Sequence, residues 1–169
     1  MTGVQTCALP IWVDIVDDST RVDLVDDRAV RITLSGDLFF DVGSADLKFN
    51  SKLQLKKIGK ILKENSFVIN VIGHTDSTPT HSMLYPTNWE LSTARACRVA
   101  RYLITEAGVP KDRFFVSGHA SLLPLMPNST AANRSLNRRV EIILMKDRPY
   151  AEPVSSVGFK FNSRTVNNG

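Results

Sequence analysis

The sequence is poor in cysteine: two in 169 residues, Cys7 and Cys97. They form no C-x-x-C pair, so no zinc ribbon or thioredoxin-type motif has its ligands, and both thiols are expected to be free. No apolar run approaches the roughly 18 residues that a membrane helix needs. The first residues lack the basic stretch and long apolar core of a secretory signal. There is no G-x-S-x-G elbow for a hydrolase nucleophile, no internal repeat and no low-complexity tract. Charge of one sign is also scarce. Lys and Arg number 21 against 17 Asp and Glu, a net of +4. The basic residues are not interleaved with aromatics, and no nucleic-acid partner is expected.

What is present is regular periodicity. Residues 1–12, MTGVQTCALPIW, fit neither a strand nor a helix and read as a non-native leader. On that reading the native N-terminus, with any membrane anchor it carries, lies outside this sequence. Residues 13–29 read as a linker and a first hairpin strand. Val22 and Leu24 alternate with polar residues, Asp26-Asp27 turns the chain, and Val30, Ile32 and Leu34 alternate again. Ser35-Gly36-Asp37 breaks that pattern. Residues 50–65 carry Leu55, Ile58, Ile61 and Leu62 at helical spacing, with lysines on the other face. Residues 67–72, FVINVI, suit a buried strand. Ala96, Val99, Ala100 and Leu103 mark a helix over residues 88–107, with Asn88 as its cap and Gly108 as its stop. A strand at 113–117, a short helix at 129–136 and a strand at 139–145 follow. Helices alternating with strands predict a sheet with helices packed on it, an α/β or α+β sandwich. The domain proper spans 30–146. Residues 147–169 have no period and read as a flexible tail.

One set of residues carries chemistry. Gly73-His74-Thr75-Asp76 closes a strand. Asn88-x-x-Leu91-Ser92-x-x-Arg95-Ala96 opens a helix. Asn137-Arg138-Arg139-Val140-Glu141-Ile142 enters the last strand. Strand ends and helix starts converge on one edge of a sheet. Asp76 offers a carboxylate, and Arg95 a planar fork that grips a carboxylate. An acid and a base held apart suit a zwitterion. Arg95 bracing Asp76 in a structural ion pair is the competing reading. Strand neighbours face opposite sides, so one of Arg138 and Arg139 faces the groove and the other faces solvent or a structural carboxylate. Asn88 serves as helix cap or ligand contact, Trp89 as packing, and His74 as a loop brace.

These three segments resemble the OmpA-like peptidoglycan-binding family, whose hallmark runs GHTD, N-x-x-LS-x-x-RA and NRRVEI. The resemblance covers residues 30–146. It implies an α+β fold, a β-α-β-α-β-α-β mixed sheet with helices packed on one face, and non-catalytic binding of peptidoglycan, with no cofactor and no metal. Asp76 would take the ammonium and Arg95 the carboxylate of the diaminopimelate in the stem peptide. Thr75, Asn88, Leu91, Arg138 and Arg139 would line the same groove, and the glycan would lie alongside. Asp76 and Arg95 stand nineteen positions apart. The loop between them, with its Asp-x-x-Pro start and Asn-Trp-Glu-Leu-Ser end, resembles the flagellar motor stator B subunits (MotB). So does Phe40-Asp41-Val42-Gly43-Ser44-Ala45-Asp46-Leu47. That resemblance implies a periplasmic homodimer that anchors the stator to the wall. In the full-length protein an inner-membrane helix, absent from this sequence, would join it to the stator A subunit. Another OmpA-like wall anchor, a lipoprotein or secretion-system component, is the alternative within the family. The sequence departs from the family's G-x-G pattern at Gly118-His119-Ala120. Two other arrangements rank below these: a His74, Asp76, Ser92 hydrolase triad, and a metal site of His74, Asp76 and His81, whose spacing fits no standard ligand set.

Overall fold

The computed structural model describes residues 12–26 and 29–146. The proposed leader, apart from Trp12, and the proposed tail lie outside the described residues. Five strands form one mixed sheet: β1 (Thr20–Asp26), β2 (Ala29–Ser35), β3 (Val68–His74), β4 (Phe114–Gly118) and β5 (Arg139–Met145). Their order in space is β1-β2-β5-β3-β4. All neighbours are antiparallel except β3 and β4. Four α-helices lie among the described residues: α1 (Gly36–Phe39), α2 (Phe49–Lys63), α3 (Asn88–Thr105) and α4 (Ala131–Asn137). The α+β class and the mixed sheet are as the resemblance implies, and the hairpin at the edge is as the periodicity predicts.

Alternation decides the two faces of the sheet. Ile32 and Leu34 of β2, Ile69 and Val71 of β3, and Val140, Ile142 and Leu144 of β5 all point to one face and are fully buried. The register puts Ile32 and Val71 on either side of Ile142. Leu55, Ile58 and Leu62 of α2 and Val99 and Leu103 of α3 close this core from above. The parallel pair β3–β4 requires a crossover, and α3 supplies it. Its approach is close. A Cβ on Gly73 would lie 1.9 Å from the Ser92 carbonyl oxygen, so only glycine lets α3 sit this near the sheet.

The sequence reading has only a break where α1 forms at Gly36–Phe39. Three further local features differ from it. The helix cap is Thr87, not Asn88. The Thr87 hydroxyl accepts from the Trp89 N–H at 3.1 Å, and the Glu90 carboxylate accepts from the Thr87 N–H at 2.9 Å. This is a capping box, a stronger N-terminal signal than a lone asparagine. Second, Trp12 and Ile15 are buried in the core although they fall in the segments read as leader and linker. A 3-10 turn at Val13–Ile15 presents the Ile15 carbonyl to the Gln54 amide on α2. Third, Trp89 is half-exposed rather than packed. Cys97 is free and exposed on α3.

Candidate functional site

The site forms where chain segments leave one end of the sheet. Residues 75 and 76 follow β3, Asn88 and Leu91 begin α3, α1 leads out of β2, and Arg138 precedes β5. Together they line a groove of about 760 Å³ that also includes Phe40, Lys48 and His81. Of the seven residues expected there, Thr75, Asp76, Asn88, Leu91, Arg95 and Arg138 line it.

Asp76 is 5% exposed. One of its oxygens accepts from the Thr78 N–H at 2.8 Å, and the other takes Nη1 of Arg138. Arg138 then reaches past Asp76 to Asp37. Its Nε and Nη2 donate to the two Asp37 oxygens, each at 2.6 Å. One guanidinium thus joins two carboxylates, one of them through a fork-to-fork contact. The Arg138 hydrogen bonds hold the Asp37 carboxyl below the usual range, and Asp37 in turn raises the Arg138 pKa. Asp37 reads in the sequence only as part of a strand break. Its signal lies in the fold, because α1 has to place it beside a residue 101 positions later.

Arg95 is also 5% exposed, but it is not paired with Asp76. Its Nε donates to the Ser44 carbonyl at 2.8 Å and its Nη2 to the Asp41 carbonyl at 3.3 Å. Its guanidinium carbon lies 5.1 Å from the centre of the Phe40 ring. Nη1 has no hydrogen-bond acceptor among the described residues. The braces are neutral, and burial lowers the Arg95 pKa from its ordinary value; a guanidinium in a protein stays protonated. The side chain is therefore a fixed cation with one terminal nitrogen to spare. Backbone carbonyls orient it but do not cancel its charge. A structural Asp76–Arg95 ion pair is replaced by two separately held charges on one groove.

Thr75 and Asn88 shape the loop. The Thr75 hydroxyl donates to the Asp76 carbonyl at 3.0 Å. The Asn88 amide donates to the Asp76 and Thr78 carbonyls at 3.3 and 3.0 Å. Leu91 is buried at the groove floor.

Arg139 does not line this groove, contrary to what the resemblance implies and in line with the alternation of strand neighbours. It alternates to the far face of the sheet, where its Nε donates to Glu141 at 2.7 Å and its Nη2 to the Leu123 carbonyl at 3.2 Å. Asn137, in the same motif, is a staple. Its side-chain oxygen accepts from the Leu125 and Met126 N–H groups, and its amide donates to the Met126 carbonyl. His74 joins Arg139 on the far face. It lies 3.8 Å from Glu141 and stacks on His119 at 5.6 Å between ring centres. Burial and the nearby Arg139 charge push its pKa down to about 4. His81 lines the groove, so His74, Asp76 and His81 do not converge. Ser92 spends its hydroxyl on backbone, donating to the Trp89 carbonyl and accepting from the Ala120 N–H, each at 3.1 Å. No hydrogen bond joins it to His74 or Asp76 among the described residues.

The departure at Gly118-His119-Ala120 has a visible consequence. Ala120 has φ +47°, in the left-handed region where glycine is favoured. It is held there by the Ser92 hydroxyl on its N–H and by the Thr75 N–H on its carbonyl. The backbone geometry that suits a glycine is kept by a residue that pays for it in strain.

Comparison with known proteins gives one family and a consistent set of relatives. The model of the OmpA family matches residues 39–138. Motility protein B of Bacillus subtilis is 33% identical over 119 residues, covering 70% of this chain and 46% of that protein. The cell wall anchor of the T6SS from Pseudomonas aeruginosa superposes with a TM-score of 0.75 at 30% identity, covering 81% of this chain and 95% of that one. The periplasmic domain of Helicobacter pylori MotB superposes with a TM-score of 0.70 at 30% identity, covering 76% of this chain and 83% of that one. The chain spans about half the length of the curated relatives it matches first, 51% and 46%.

Proposed function

The chain belongs to the OmpA family, and on that premise we propose that it is a periplasmic wall anchor that binds peptidoglycan without catalysing a reaction. One observation carries the reading. Asp76 and Arg95 are both buried on one groove, and they are braced by other groups rather than by each other. A ligand with an ammonium and a carboxylate a few bonds apart, such as the diaminopimelate side chain of a stem peptide, complements that pair. The carboxylate would meet the spare Nη1 of Arg95. The ammonium would share Asp76 with Arg138. Phe40, Leu91 and Thr75 would enclose the methylene chain between them. The glycan would run along the open side of the groove.

Charge-assisted hydrogen bonds are worth about 1.5–3 kcal/mol each, and removing one partner strands the other. Asp76→Ala and Arg95→Ala are each expected to weaken binding to purified, insoluble peptidoglycan by at least about tenfold. Thermal unfolding of Arg95→Ala should show that the domain still folds. Equal sedimentation of wild type and both variants with the wall would sink the site assignment.

Within the family, the loop from Asp76 to Arg95 and the relation to Motility protein B favour a flagellar stator role. In that role the domain would work as a homodimer, held to the inner membrane by a preceding helix that also meets the stator A subunit. The superposition on the T6SS wall anchor supports the second reading, a secretion-system component. Grafting residues 12–146 in place of the matching part of Motility protein B separates them. Restored swimming supports the stator role; wall binding without swimming supports the other.

A further inference from the structure

The outer face of α2 is unlike the rest of the surface. Lys52, Lys56, Lys57, Lys60 and Lys63 are all exposed on it. At 100° per residue they fall, with Phe49 and Leu53, within an arc of roughly 140°, opposite Leu55, Ile58 and Leu62. The row is about 21 Å long. No acidic residue lies within α2; Asp46 precedes it and Glu64 follows it. None of the five lysines makes an ion pair among the described residues. The neighbouring helix extends the face. Arg98 and Arg101 of α3 line a cleft of about 360 Å³ together with Lys52, and Asp46 and Glu106 line it too. Among the described residues Arg98 is the one of these cations in an ion pair, with Asp46 at 2.9 Å.

Solvation alone accounts for exposed lysines but not for the apolar residues among them. Phe49 is 75% exposed and Leu53 is 51% exposed. They stand one turn apart, so they project side by side between the lysines. Among the described residues no helix is long and apolar enough to cross a membrane. We propose that this face docks the domain peripherally on an anionic phospholipid surface. Phe49 and Leu53 would enter the headgroup boundary, and the lysine row would lie over the lipid phosphates. A soluble polyanion satisfies the lysines but gives the two apolar side chains nothing. That asymmetry is why a lipid surface is favoured. The face is separate from Asp76 and Arg95, so the proposal does not depend on what the groove binds.

The test is co-sedimentation of the full chain with vesicles of phosphatidylglycerol and phosphatidylcholine, beside vesicles of phosphatidylcholine alone. The expected result is binding to the anionic vesicles only, weakened by added salt. Lys56→Glu, Lys60→Glu and Lys63→Glu combined should reduce it at least about tenfold. Phe49→Ser should reduce it several-fold while leaving the salt dependence in place. All substituted side chains are exposed, and a thermal melt checks that each variant folds. Three results would overturn the proposal. The first is failure of wild type to sediment with anionic vesicles, and the second is charge reversal that changes nothing. The third is Phe49→Ser behaving as wild type while soluble polyphosphate displaces the protein completely, which would make the face a polyanion site instead.

Discussion

Ala120 and His74 show what single residues cost this fold. Ala120 sits at φ +47°, where an L side chain crowds the carbonyl by roughly 1–2 kcal/mol, while glycine loses about 0.5–1 kcal/mol of extra chain entropy on folding. Ala120→Gly is therefore expected to be neutral or stabilising by up to about 1 kcal/mol in urea unfolding, which is unusual for glycine at a buried position. A loss of more than about 1 kcal/mol would mean that the Cβ contributes packing that outweighs the strain. His74 is held neutral by burial, by Arg139 and by His119, with Glu141 and Arg31 completing its charged surroundings. In the native state its pKa is about 4 against an ordinary value of 6.5. Between those values the unfolded chain takes up a proton that the native one refuses. Stability should therefore fall as pH drops from 6.5 toward 4, by up to about 3 kcal/mol from this residue. His74→Leu should flatten the change between pH 6.5 and 5. Equal slopes for the two proteins in that range would assign the dependence to other groups.

At the scale of elements, α3 does two jobs. Its core face closes the sheet, and its first turns bring Asn88, Leu91 and Arg95 to the groove. The Thr87–Glu90 capping box fixes where it starts. Thr87→Ala should cost about 1 kcal/mol in chemical denaturation. The closeness of α3 to β3 rests on Gly73. Gly73→Ala forces a Cβ against the Ser92 backbone, which cannot swing away as a flexible side chain can. It should destabilise by about 1–3 kcal/mol or more. It should also weaken wall binding, because displacing α3 moves Arg95 relative to Asp76. A Gly73→Ala protein with wild-type stability would show that the helix can shift freely.

For the whole molecule, the folding unit exceeds the stretch that the family model matches. Of the five strands, residues 39–138 contain β3 and β4 alone. Yet β5 lies between β3 and β2, and its Val140, Ile142 and Leu144 form the middle of the core. A chain cut to 39–138 is expected to lack cooperative unfolding in circular dichroism. A chain of 12–146, which keeps Trp12 and Ile15 in the core, should unfold in one transition. A cooperative melt of the shorter piece would contradict this account of the core.

The sequence by itself determined the main elements and their order, α1 and the 3-10 turn at Val13–Ile15 apart, because 3.6- and 2-residue periodicities are local properties of side-chain burial. It also determined which segments meet at the groove, since strand ends and helix starts share an edge in an alternating fold. It left several choices open that only the tertiary structure decided. Alternation said that Arg138 and Arg139 part ways, but which one faces the groove depends on how β5 is registered against β2 and β3. Asp37 became a partner of Arg138 only when α1 folded across the end of β5. Asp76 and Arg95 read as a possible ion pair until the Ser44 and Asp41 carbonyls, held by a loop with no periodicity, claimed the guanidinium. Trp12 and Ile15, read as leader and linker, joined the apolar core beside α2. Partner choice at long sequence separation is set by three-dimensional register, and no local pattern of residues encodes it.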